Sequence, residues 1–157
     1  AFDTWMARCA ARAPEGLDPG TVWYLSQSRL ALGPEAEDAA ERLADHAVKA
    51  LREAKEATFH TAPDAAVEDP ATGFARTLGG TEEGLAALGD IAAHLSLVQV
   101  ALKLTIPGIP DVYQGAETIT RTLTDPDNRR AVDFDLLGRA LEAPRHCRRG
   151  WRATSSR

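Results

Sequence analysis

The chain has two cysteines, Cys9 and Cys147, near opposite ends of 157 residues and in no C-x-x-C arrangement. Their scarcity excludes a disulfide-stapled scaffold and a thiolate zinc site, and it suits reduced thiols in a cytosolic protein. No run approaches the roughly 18 continuous apolar residues of a membrane span, and no charged start with an apolar core marks a signal peptide. A cytoplasmic location without a membrane partner is the expectation. Several chemical signatures are missing too. The four histidines, His46, His60, His94 and His146, never fall at i, i+4 with a carboxylate, and no H-E-x-x-H occurs, so no metal site is expected. There is no G-x-S-x-G, neither cysteine has a histidine partner in a known setting, and Gly79-Gly80 is a helix breaker rather than a phosphate loop. No cofactor is expected.

A basic surplus is also missing from the main body. The net charge is −5, but the last 20 residues hold six arginines against one glutamate, which leaves −10 on residues 1–137. A body of that sign lacks the clustered basic face of a nucleic-acid-binding surface. The terminal run PRHCRRGWRATSSR has no apolar periodicity, and residues 142–157 are expected to be a disordered or non-native tail. The first residue is Ala1 rather than Met, and Phe2, Trp5 and Met6 follow at helical spacing, so the sequence reads as a piece of a longer polypeptide.

What is present is mostly helical pattern. Residues 2–12 suit the end of a helix, and the breakers Pro14, Gly16, Pro19 and Gly20 make a loop before Thr21, which is placed to cap a second helix running to Gly33-Pro34. From Glu35 to Phe59, Ala36, Ala40, Leu43, Ala47, Leu51 and Ala54 recur three and four apart, with charges on the other side and local pairs such as Arg52–Glu56 available. Asp64 to Pro70 reads as an acidic loop, Thr72 to Leu78 as a short helix, and Thr81 as the cap of a helix over 82–104. That last segment is apolar nearly all round, which predicts a buried helix, with His94 as a satisfied core or interface histidine.

The segment from Leu104 to Asp135 organises the rest. Pro107 and Pro110 stop the helix, Ile109, Val112 and Tyr113 suit a short covered strand over 109–113, Gly115 ends it, and Val132 and Phe134 alternate once more. Between them lies Asp125-Pro126-Asp127-Asn128-Arg129-Arg130. It is no calcium loop, since Arg130 stands where the sixth-position glycine belongs and no closing glutamate follows. Two alternatives stay open for this run: a plain turn in which the carboxylates make Asx bonds and the arginines bridge them, or a binding loop.

These residues carry a resemblance. PGIPDVYQGAE at 107–117 is similar to the end of the catalytic barrel in the α-amylase superfamily. DPDNRRAVDF at 125–134 resembles a run typical of its malto-oligosyltrehalose synthase branch, and KALREAK at 49–55 makes a third motif in family order. The match spans most of the chain up to Leu141 and is best after Leu97. Ser28-Arg29, Leu32-Gly33 and His60 depart from it, the last removing an aromatic platform for sugar.

The resemblance implies a mainly α fold with one or two short strands: a partial (β/α)8 barrel built from its last helix–strand units, plus a helical insertion. Residues 1–80 would be the insertion, 81–141 the carboxyl-terminal part of the barrel and 142–157 the tail. The implied chemistry is a retaining transglucosylation within one malto-oligosaccharide, with an Asp nucleophile and a Glu acid. Those carboxylates and the family's third lie upstream of the matched region, and Asp111, Glu117 and Asp127 do not match their motifs. No catalytic residue is therefore assigned, and the chain by itself is expected to be inactive. Tyr113, Gln114 and Glu117 past the strand's carboxyl end, and Asp125, Asp127, Asn128, Arg129 and Arg130 in the loop, are the implied substrate-binding residues, with malto-oligosaccharide as the partner and the remainder of the barrel missing. Another α-amylase-superfamily hydrolase and a non-enzymatic helical interaction module are the other two readings.

Overall fold

The computed structural model describes residues 2–34, 36, 38–78 and 85–142, with backbone alone at 85–87. Its elements are α1 (Phe2–Ala10), α2 (Pro19–Leu32), α3 (Ala39–Ala54), α4 (Ala65–Leu78), α5 (Leu85–Thr105), a 3-10 turn (Asp127–Arg129) and α6 (Phe134–Glu142). The mainly α character is as expected. By internal contacts the described residues up to 110, together with 121–130, make one compact unit, and those of 111–120 and 131–142 make another. The expected cap at Thr81 and the tail with His146 and Cys147 lie outside the described residues, save for Glu142.

The first unit holds the core. Trp5 and Cys9 of α1, Leu25 and Leu32 of α2, Leu43, Ala44 and Ala47 of α3, and Phe74, Ala75 and Leu78 of α4 are buried together. Each large side chain buried this way stabilises the fold by about 1.5–3 kcal/mol. Helix α2 begins three residues earlier than expected because Asp18, not Thr21, is its cap: the Asp18 carboxylate accepts from the Thr21 amide at 2.7 Å and from its hydroxyl at 3.1 Å. Gly33 closes α2 at φ +73, a conformation that side-chain-bearing residues rarely adopt. Arg29, fully buried, donates from Nε to the carbonyl of Leu78 and from Nη1 to that of Gly33.

Helix α4 overturns the expected 64–70 loop. It starts at Ala65 and carries Pro70 inside. The local cost of an internal proline, about 3 kcal/mol, is offset on both sides. Asp64 starts the helix, accepting at its side chain from the Ala66 amide and at its carbonyl from Val67 and Glu68. The following turns bury Ala71, Phe74, Ala75 and Leu78. Glu68 is anchored by Arg52, which donates through Nε (2.8 Å) and Nη2 (2.7 Å), and by the buried Thr58 hydroxyl at 2.6 Å. Arg52 thus pairs with α4 rather than with Glu56, while Lys49 and Glu53 keep a local pair at 3.6 Å.

Two expectations fail in the region after 85. Helix α5 is not buried: Leu95, Leu97, Val98, Val100, Leu102 and Leu104 are each half or more exposed, and His94 lies on the surface with Nδ1 3.1 Å from the Asp90 carbonyl. Nor are there strands among the described residues, where an isolated bridge between Phe59 and Ala62 is the only extended pairing. Residues 109–113 run as irregular chain with Ile109 99% exposed, and Phe134 opens α6 instead of ending a strand. The reason is the same in both cases. A strand needs neighbours to bond and an apolar helix needs surfaces to cover it, and these residues bring neither. No helix among the described residues is long and apolar enough to cross a membrane.

Candidate functional site

Asp38, Arg42, Asp45 and His46 stand at i, i+4, i+7 and i+8 along the start of α3, so they share one face. The 121–130 segment lies against that face. Arg42 donates from Nε to Asp127 Oδ1 at 2.8 Å and from Nη2 to Oδ2 at 2.7 Å, and the same Nη2 reaches the Arg121 carbonyl at 2.8 Å. Asp127 also accepts from the Leu123 amide at 2.6 Å, and Arg130 Nε stands 3.3 Å from it. Arg130 Nη2 goes on to Asp38 at 2.6 Å, and Arg129 pairs with Asp125.

These contacts order the charges. Burial alone pushes the Asp127 carboxyl up, but the Arg42 and Leu123 hydrogen bonds and the two arginine charges outweigh it and hold the group below the ordinary carboxylate range. The hydrogen bond from Arg130 does the same for Asp38. His46 is pushed down, chiefly by burial and next by the Lys49 charge, so it is a neutral imidazole near pH 7. Its Nε2 lies 2.7 Å from the Tyr24 hydroxyl, the two rings stack at 5.6 Å, and its Nδ1 has no partner among the described residues.

Arg42, Asp45, His46, Thr124, Asp127 and Arg130 line a cleft of about 220 Å3. A wider groove of about 550 Å3 opens between α2 and α3, bordered by Thr21, Tyr24, Leu51 and Glu53. Among the described residues no group of three or more His, Cys, Asp or Glu side chains is placed to hold a metal ion.

The residues proposed from sequence fall in both units. Asp125, Asp127, Asn128, Arg129 and Arg130 belong to the first, where the arginines do bridge the carboxylates. Arg129 is freely exposed and Arg130 half-exposed, while the Asp127 side chain is 9% exposed and fully engaged. The Asn128 Oδ1 is buried without a partner. Tyr113, Gln114 and Glu117 belong to the second unit and are exposed on a turn. There the Ala116 amide bonds the Tyr113 carbonyl, Thr120 bonds the Gly115 carbonyl at 2.7 Å, and Gly115, at φ +78, lies against Val132 so closely that a Cβ would meet the Val132 methyls at 3.2 Å. The α3 residues Asp38, Arg42, Asp45 and His46 were missed in the sequence, although their four-and-three spacing was readable there.

No protein-family model matches the chain. A Mycobacterium tuberculosis protein (strain CDC 1551 / Oshkosh) bearing the name maltooligosyl trehalose synthase is 36% identical over 149 residues, covering 89% of this chain. Among solved structures, the glycosyltrehalose synthase of strain DSM5389 superposes with TM-score 0.71 at 30% identity over 90% of this chain, and a crystal structure of maltooligosyl trehalose synthase with 0.70 at 27% over 88%. The Arthrobacter ramosus maltooligosyltrehalose synthase gives 0.59 at 31%. The chain spans about one-fifth of the length of these relatives, 19% of the curated one and 20% of the first solved one. Over nine-tenths of its own length, this chain is homologous to a segment of the maltooligosyl trehalose synthases.

Proposed function

We propose that the chain is a carboxyl-terminal-side segment of a malto-oligosyltrehalose synthase. In the complete polypeptide it would help convert the reducing-end α-1,4 bond of a malto-oligosaccharide into an α,α-1,1 bond, in the cytoplasm, as part of trehalose biosynthesis. The observation that carries this is α5. It is apolar nearly all round yet largely exposed, and the remainder of a barrel packed against it would cover much of that surface. The four-fifths of the relatives' length that this chain does not match is enough polypeptide to do so. The stretch after α5 is then a barrel strand that finds its hydrogen-bond partners only in that context.

In this proposal the catalytic carboxylates come from the rest of the enzyme, and the chain contributes sugar contacts. Tyr113, Gln114 and Glu117 offer an aromatic ring and two hydrogen-bonding groups. Asp125, Asn128, Arg129 and Arg130 offer directed donors and acceptors for hydroxyls. Asp127 serves them by holding the loop. The chain incubated with maltopentaose is expected to give no non-reducing product, and the same sequence joined to the upstream polypeptide of its relatives is expected to give one. A trehalose-ended oligosaccharide made by the chain alone would overturn the assignment.

A further inference from the structure

The cleft between α3 and the 121–130 segment has features that the proposed function does not use. Its volume, about 220 Å3, falls short of the roughly 300 Å3 at which sites for larger ligands begin, so it suits one small ring. Its formal charges balance: Arg42 and Arg130 against Asp45 and Asp127, with His46 neutral. A balanced wall has no net attraction for a phosphate or a carboxylate. It also has unspent polar capacity. Neither the Asp45 carboxylate nor the Thr124 hydroxyl makes a side-chain hydrogen bond among the described residues, and each arginine has more N–H groups than its carboxylate partners use. His46 is 5% exposed, and its Nδ1 is left without a partner while Tyr24 fixes the other nitrogen. Buried nitrogens are nearly always paired, and here the unpaired one belongs to a ring that borders the cleft.

We propose that this cleft is a subsite for a single neutral sugar ring, a glucosyl unit, with Asp45 and Thr124 contacting its hydroxyls, Arg42 and Arg130 donating from fixed positions, and His46 forming the back wall. The class of ligand rests on the proposed function. The place rests on the cleft itself, where Arg42, Asp45 and His46 of α3 face Thr124, Asp127 and Arg130. A carboxylate and a hydroxyl accept while two guanidiniums donate, and this alternation matches a ring that carries hydroxyls able to do both. Pro126 borders the same space and adds an apolar surface.

The test is a titration of the isotope-labelled chain with glucose, then maltotriose, read by NMR. Saturable shifts of the His46 ring nitrogens and of the Thr124 and Asp45 signals are expected, and Asp45→Asn and Thr124→Val should each weaken them about tenfold, the loss of one hydrogen bond to a charged or hydroxyl group. His46→Phe keeps the stacked ring and should weaken binding without unfolding the chain, while the wild-type His46 shifts stand as evidence whatever that variant does. Shifts confined to Tyr113, Gln114, Arg129 and Arg130, with His46, Asp45 and Thr124 silent, would overturn this subsite and leave the proposed function standing. Silence at every one of these residues would overturn the subsite too, while the proposed function stands or falls on the maltopentaose assay of the chain joined to its upstream polypeptide. Stronger shifts with inorganic phosphate than with glucose would overturn the neutral-ring assignment.

Discussion

Arg42 on α3 grips both carboxylate oxygens of Asp127, 85 residues further along, at 2.8 and 2.7 Å, with both side chains 9% exposed. A pair so enclosed matters less for its net attraction than for what is left when half of it is removed. In Arg42→Ala the Asp127 carboxylate would keep the Leu123 amide and a 3.3 Å contact with Arg130. The expected loss is about 2–4 kcal/mol, measured as a fall in the urea midpoint. Arg42→Lys should recover little, because an ammonium cannot reproduce the bidentate fork or the bond to the Arg121 carbonyl.

Glu68 gives the chain an acid-sensitive joint. Its hydrogen bonds from Arg52, then from Thr58, bring its carboxyl down from 4.5 to about 2. A group whose pKa is lower in the folded state contributes stability that is complete above the unfolded value and lost as pH falls through the folded one. The α3–α4 pairing should therefore weaken between pH 4.5 and about 2. Thermal unfolding across that window should show the slope in the native chain and a flatter one in Glu68→Gln.

Helix α5 allows a contrast between two molecules. Leu97 and Leu102 are 67% and 55% exposed, so Leu97→Ala and Leu102→Ala should change the stability of this chain by no more than about 0.5 kcal/mol. In a complete synthase, where the proposal encloses the helix, the same substitutions should cost about 2–5 kcal/mol. Equal effects in the two would count against the enclosing barrel.

Gly33 ends α2 at φ +73, and a Cβ there would run into the Arg121 guanidinium. Gly33→Ala should destabilise by about 1–3 kcal/mol through backbone strain and displacement of that side chain. Pairing it with Arg121→Ala should recover the steric part only, a difference visible in the two urea midpoints.

What the sequence made legible was whatever repeats locally. The four-and-three spacing of Leu43 and Ala47 placed α3, and Gly33-Pro34 placed the end of α2. Thr21 was taken for a cap because Ser, Thr and Asp all qualify, and only the geometry gives the role to Asp18. Pro70 argued for a loop, and burial of Phe74 and Leu78 overrode it. Arg52 was matched to Glu56 by spacing, although the better partner lay on another helix. The α5 helix and the 109–113 strand misled for a different reason. Their apolar patterns describe an environment, and the residues that would make that environment are not among those described.

Arg29 carries a consequence of its own. Its guanidinium bonds the terminal carbonyls of two helices at once, Gly33 after α2 and Leu78 of α4. One residue inserted between Arg29 and Gly33, or just ahead of Leu78, would turn the bonded carbonyl by about 100° around its helix axis, out of reach of a side chain that has no room to follow. The two rods are thereby locked in phase, so tolerated insertions in this half of the protein should collect in the connecting loops and avoid both rods near their ends.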